Sequence, residues 1–96
     1  MISIIIPTYN ESELIGKLIN FLKEFGNKDI SEIIISDGGS TDNTAEIAKN
    51  AGAQVIISPQ KGRAAQMNFG ASMATSDILY FIHADTLPPP SFFTDI

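Results

Sequence analysis

Short unbroken apolar runs alternate along this chain with longer stretches in which apolar residues recur every three or four positions. The β-branched run Ile2 to Ile6, stopped by Pro7, predicts a first strand. Beyond the Thr8-Tyr9-Asn10 turn, Asn10 and Glu13 have the spacing of a capping box. Leu14, Leu18, Phe21, Leu22 and Phe25 then fall on one helical face, with Gly26 suited to the C-terminal cap. Together they predict a helix from about Glu11 to Phe25. Ile33-Ile34-Ile35 within Ser31 to Ser36 predicts a second strand. It runs into the turn-rich Asp37-Gly38-Gly39-Ser40-Thr41-Asp42, where Asp42 can cap a helix from Asn43 to Asn50. Ala45, Ile47, Ala48 and Ala51 give that helix a small apolar face, closed by Gly52.

Val55 to Ile57 predicts a third strand, and Ser58 to Gly62 a loop. Arg63 to about Thr75 predicts a third helix with Ala65, Phe69, Ser72 and Met73 on one side. The run Ile78-Leu79-Tyr80-Phe81-Ile82 reads as a fourth strand covered on both faces, and it ends abruptly in His83 and Asp85. Pro88-Pro89-Pro90 breaks the chain, and Ser91 can cap a further helix.

A βαβαβαβ succession predicts an α/β, Rossmann-like parallel sheet with right-handed crossovers and helices on both faces. The almost purely apolar first strand belongs in the centre, so the expected strand order is 3-2-1-4, with a topological switch between strands one and four. Tyr9, Asp37 and Asp85 each follow the C-terminal end of a strand. All three should therefore rim one crevice.

Composition narrows the partners. Ninety-six residues, 44% hydrophobic and 18% charged, suit one small globular domain. A net charge of −5 with six Lys and Arg argues against nucleic acid, while leaving room for a basic pocket holding one phosphate group. The absence of cysteine excludes disulfides and thiolate metal sites. The Met1–Pro7 start has no basic region and is too short for a signal core or membrane span, so a soluble, cytoplasmic protein without a transmembrane segment is expected.

Each candidate residue admits a plain reading beside a functional one. Asp37 can accept hydrogen bonds from a ligand's ribose or base, or hold its own loop as an Asx turn. Gly38 and Gly39 permit close backbone approach, or simply turn the chain. Tyr9 can stack on a base, or be a half-buried turn residue. Glu11 can face a ligand or complement a helix dipole. Lys61 and Arg63, flanking Gly62 at a helix start, can meet a phosphate or be solvated surface charges. Gln66 and Asn68 read as structural or exposed. Asp85 suits Mg²⁺ or Mn²⁺, which take oxygen ligands and often share substrate phosphates; the alternative is a carboxylate capping the next turn. His83 reads as a hydrogen-bonded packing residue. No Gly-x-Gly-x-x-Gly follows any strand and no Walker A sequence occurs. Asp37-Gly-Gly-Ser-Thr resembles the phosphate loop of the actin and sugar-kinase fold, but a helix follows it here. In the haloacid-dehalogenase-type loop that His83-Ala-Asp85-Thr86 resembles, the nucleophilic aspartate would stand where His83 does.

Four blocks, in order and at suitable separations, resemble family 2 glycosyltransferases of the GT-A fold. They are Ile-Ile-Ile-Pro7-Thr8-Tyr9-Asn10-Glu11, Ile-Ser-Asp37-Gly-Gly-Ser-Thr-Asp42, Lys61-Gly-Arg63-Ala-Ala-Gln-Met-Asn68 and Phe-Ile-His83-Ala-Asp85-Thr-Leu-Pro88. The third and fourth blocks resemble a bacterial subgroup with a His-Ala-Asp-Thr form of the Asp-x-Asp motif. The resemblance implies the N-terminal half of a GT-A domain that binds a nucleoside-diphosphate sugar. Pro7, Thr8, Tyr9 and Glu11 would line the nucleoside, with Asp37 on the base, typically uracil, and Gly38 beside it. Arg63 and Lys61 would approach the base or diphosphate, His83 and Ala84 would complete the binding set, and Asp85 would hold Mn²⁺ or Mg²⁺ against the diphosphate. The reaction implied is metal-dependent, inverting transfer from a UDP-type sugar to a hydroxyl acceptor that these residues do not identify.

His83 replaces the motif's first aspartate. The family domain also continues past this point, so residues 1–96 are expected to be a truncated, donor-binding part whose general base lies beyond Ile96. Glu24, Glu32 and Glu46 lie away from the crevice. The outer side of strand four would then be uncovered and open to pairing with a second copy. The alternative is a nucleotide-binding or assembly module without catalysis of its own.

Overall fold

The Ile-rich start of the chain becomes the middle of the sheet. In a computed structural model that describes residues 1–26 and 29–84, β1 (Ile2–Thr8) is buried along its whole length. It lies between β2 (Ile30–Asp37) and β4 (Ile78–Phe81), with β3 (Gln54–Ile57) beyond β2. The order is therefore the expected 3-2-1-4, and every pairing is parallel. The connections are α1 (Ile15–Phe25), α2 (Thr44–Asn50) and α3 (Arg63–Met73).

Period-two alternation sends β1 side chains to two different layers. Ile2, Ile4 and Ile6 join Ile15, Leu18, Ile19 and Leu22 of α1 and Ala48 of α2 in one buried cluster. Burying each of these isoleucine and leucine side chains contributes about 1.5–3 kcal/mol before chain entropy is counted. Ile5 faces the other way, against α3. There Gly70 allows close approach: a Cβ on it would stand 2.6 Å from Ile5 Cγ2.

The strand does not stop at Pro7. Pro7 and Thr8 continue to pair with Ser36 and Asp37 of β2, whereas the pairing with β4 runs only as far as Ile5 and Phe81. The Ile5 carbonyl accepts the Ile82 N–H at 3.0 Å. Two residues on, Pro7 points its nitrogen the same way but has no hydrogen to donate. The β1–β4 ladder ends there, and the two chains are free to part at the switch point.

Three other sequence expectations are corrected. The first helix begins at Ile15, not at Glu11, and the capping box does not form. Asn10 adopts φ 54 and its side chain serves a neighbouring loop instead. On α3 the buried positions are Gln66 and Gly70, while Ser72 and Met73 are exposed. A glutamine with backbone partners and a glycine chosen for close approach leave no trace in hydrophobic periodicity. β4 is not covered on both faces, with Ile78 47% and Phe81 46% exposed; among the described residues it lies at the sheet edge, as the order 3-2-1-4 implies. The expected metal ligand Asp85, the Pro88–Pro90 break and the helix start at Ser91 lie outside the described residues. Among those described, no helix is long and apolar enough to cross a membrane.

Candidate functional site

A cavity of about 230 Å³ opens where β1 and β4 separate, beside the N-terminus of α3. Pro7, Thr8, Tyr9 and Glu11 form one wall, and Lys61, Gly62, Arg63 and Gln66 a second. His83 and Ala84, just past β4, form the third. The topology thus gathers every expected contact residue among the described ones except Asp37 and Gly38. A second cavity, of about 490 Å³, lies at the opposite end of the sheet around Leu22, Ile30 and Ile33. It is larger, but it is away from the carboxyl ends of the strands, where open α/β sheets bind ligands.

Asp37 is 1% exposed and its carboxylate is fully engaged. One oxygen accepts the hydroxyls of Thr8 at 2.7 Å and Ser40 at 2.6 Å; the other accepts the N–H groups of Gly39 at 3.0 Å and Ser40 at 2.7 Å. This is the Asx-turn arrangement, with a cross-strand bond added. Gly38 sits against Gln66, whose Oε1 would lie 2.7 Å from a Cβ at that position.

Of the two readings the sequence left open for Gln66, structural or exposed, the first holds: it is buried. Its Nε2 donates to the carbonyls of Thr8 at 2.8 Å and Ser36 at 2.9 Å, and its Oε1 accepts the Gly62 N–H at 3.0 Å. One buried side chain therefore fastens the start of α3 to the ends of both central strands. The available signal was a glutamine one turn after Gly62 and directly after Ala64-Ala65.

The loops after β1 and β2 are joined to each other. Asn10 N–H donates to Ser40 Oγ at 2.8 Å, and Thr41 N–H donates to Asn10 Oδ1 at 2.8 Å. Glu11 N–H donates to Thr44 Oγ1 at 2.8 Å, and Ser12 N–H to Asp42 Oδ2 at 3.3 Å. Asp42 also accepts the N–H and hydroxyl of Thr44. The Thr44 hydroxyl bond is the main reason its carboxyl stays below the usual aspartate range, against a smaller opposing effect of desolvation. The helix begins one residue later than expected, with Asn43 at its N-cap; Asp42, just before it, holds the first helical residue Thr44 and also serves the turn leading into α1.

The cavity wall is electrostatically unlike the chain as a whole. Lys61 and Arg63 stand at the positive end of the α3 dipole, in a protein of net charge −5. The Lys61 ammonium lies 3.6 Å from the centroid of the Tyr9 ring, a cation–π contact on that wall. His83 is exposed and Ala84 is buried. Among the described residues no three His, Cys, Asp or Glu side chains are grouped to hold a metal ion. Asp85, the expected metal ligand, follows Ala84 in the sequence and lies outside the described residues.

The model of glycosyl transferase family 2 matches residues 3–96. An uncharacterized glycosyltransferase of Rickettsia prowazekii is 43% identical over 84 residues, 88% of this chain and 27% of the relative. Glucosyl-3-phosphoglycerate synthase of Mycolicibacterium smegmatis is 30% identical over 100 residues, 96% of this chain and 33% of the relative. Among solved structures, glucosyl-3-phosphoglycerate synthase from Mycobacterium tuberculosis, crystallised with Mn²⁺, UDP and glucosyl-3-phosphoglycerate, matches with a TM-score of 0.85 at 29% identity. That match covers 96% of this chain and 36% of that one. The chain therefore spans between 27% and 36% of the length of these similar proteins.

Proposed function

Because this chain belongs to glycosyl transferase family 2 and has the strand order of the GT-A fold, we propose that its cavity holds the nucleoside diphosphate of a sugar donor. One observation carries the reading. At the switch point, an aromatic ring, two cations and a helix N-terminus converge on one crevice in an otherwise acidic protein. Tyr9 supplies a π-face for a base, and Lys61, Arg63 and the α3 dipole supply the charge for a diphosphate. Asp37 and Gln66 fix the loops on which these groups sit. Uridine is the proposed nucleoside, in keeping with the UDP bound by the similar mycobacterial enzyme.

Asp85, with diphosphate oxygens and water, would hold Mn²⁺ or Mg²⁺; when bound, such an ion neutralises charge growing on the departing diphosphate. In the whole protein the proposed reaction is inverting. An acceptor hydroxyl oxygen bonds to the anomeric carbon, the bond from that carbon to the diphosphate breaks, and the hydroxyl proton passes to a general base outside residues 1–96. For these residues the proposed task is donor binding. The His83-Ala84-Asp85-Thr86 form of the metal motif is proposed as the mark of a subgroup within the family.

Calorimetric titration with UDP and GDP, with and without Mn²⁺, tests the reading. UDP should bind, and more tightly with the metal. Asp85→Ala should abolish the metal enhancement while leaving metal-free binding in place. If no nucleoside diphosphate binds at millimolar concentration, the donor-site reading falls.

A further inference from the structure

We infer that Lys61 is a placeholder on Tyr9. In the free chain its ammonium occupies the ring face that a nucleobase takes, and a donor draws it from the ring onto the diphosphate. The inference rests on the donor-binding reading above and adds a specificity device to it: the site opens to nucleotides carrying phosphate and disfavours bare nucleosides.

The geometry puts the two contacts in competition. Lys61 Nζ is 3.6 Å from the Tyr9 centroid, and both residues line the same cavity. A cation at that distance covers the ring face, so a base stacking there must displace it. With Lys61 in place the cavity measures about 230 Å³, below the ~300–1,000 Å³ usual for small-molecule sites. Moving the side chain off Tyr9 enlarges the space where a ligand needs it.

Nothing about the backbone has to change. Lys61 is exposed and stands just before Gly62, whose φ of 134 sets the entry into α3, so only side-chain torsions move. Energetically, a cation over an exposed ring is worth roughly a two- to fivefold equilibrium preference. A charge-assisted bond to phosphate is stronger. A diphosphate arriving with the base therefore more than offsets the lost ring contact, whereas a base arriving alone bears the cost of displacing Lys61 without that compensation.

The Lys61→Ala variant separates the two contributions, because it removes the ammonium and leaves no side chain long enough to replace it over the Tyr9 ring. We expect its affinity for uridine to rise roughly two- to fivefold. Its affinity for UDP, measured without metal, should fall about three- to tenfold. Lys61→Arg should preserve the wild-type order. Proton NMR of the 96-residue chain gives an independent readout. In the free protein the Lys61 ε-methylene signals should be shifted upfield by the Tyr9 ring current, and UDP should return them to ordinary positions. Absence of that upfield shift overturns the proposal. So does a Lys61→Ala variant in which uridine affinity is unchanged, or in which both ligands weaken by the same factor. If UDP binds normally in those cases, only the exchange fails. If UDP binds neither wild type nor variant, the donor-site reading fails with it.

Discussion

Replacing Gln66 should cost far more than its place on a polar, alanine-flanked stretch implies. Its side chain makes three hydrogen bonds, to the Thr8 and Ser36 carbonyls and from the Gly62 N–H. At about 0.5–1.5 kcal/mol net for each bond, Gln66→Ala should lose about 2–4 kcal/mol. The two carbonyls keep sheet partners and Gly62 is exposed, so the loss should stay near that sum instead of reaching the larger penalty for orphaned buried groups. Against a typical total of about 5–15 kcal/mol this is a large fraction, and it corresponds to a melting temperature lower by roughly 10–25 °C. Urea unfolding followed by far-ultraviolet circular dichroism measures it directly, with no need for the tryptophan this chain lacks. Gln66→Glu sharpens the test. It can still accept from Gly62, but at neutral pH it places carboxylate oxygen against two carbonyls. Its folded pKa should therefore be raised, so the destabilisation is full above that value and relieved as pH falls through it. If Gln66→Ala lies within about 0.5 kcal/mol of wild type, the range for ordinary surface changes, Gln66 does not fasten α3 to the sheet.

Two further stability predictions follow from single polar atoms. The Ser36 hydroxyl is buried without a hydrogen-bond partner among the described residues, so Ser36→Ala should be neutral or stabilising by up to about 1 kcal/mol. A lower urea midpoint by more than that would show that the hydroxyl has a partner. At Glu32, partial burial works against the charged form. Hydrogen bonds from the Ser3 hydroxyl and from the Thr75 N–H and hydroxyl outweigh it, holding the pKa below the ordinary glutamate value. A depressed folded pKa gives stability that is present above the unfolded pKa and lost as pH falls through the folded one. Glu32→Gln should therefore be less stable than wild type near neutral pH, and the gap should close as pH falls through the folded pKa of Glu32. A gap that persists in acid would assign the effect to side-chain shape instead of charge.

The fold was legible because it depends on apolar period, which a single chain displays openly. Ile2–Ile6, Ile33–Ile35, Val55–Ile57 and Ile78–Ile82 can bury themselves only as strands, and the helical stretches between them force parallel pairing. Partners were not legible. Asn10 and Glu13 have capping-box spacing, yet Asn10 accepts its bond from Thr41, 31 residues away. Asp37 could be read equally as loop holder or ligand contact, because the Thr8 hydroxyl that helps seal it lies 29 residues earlier. β4 reads like β1 in composition. Its place at the edge followed from the expected strand order, but the exposure of Ile78 and Phe81 did not follow from that composition.

The structure also explains why chemistry and architecture are interleaved in the same short blocks. In the stretch after β1, Asn10 is tied to the neighbouring loop while Tyr9 and Glu11, on either side of it, line the cavity. At the start of α3, Lys61 and Arg63 face the cavity while Gln66, one turn on, fixes the helix to the strands. An aromatic face and the backbone that carries two cations are useful to a ligand only if they are held in place before it arrives, since ordering them on binding would subtract from affinity. The buried and bridging groups Asp37, Asp42, Thr44 and Gln66 supply that order from outside the contact surface. Substitutions among them should therefore lower stability and ligand affinity together. At Lys61, which is exposed at the mouth of the cavity, affinity should change with little loss of stability.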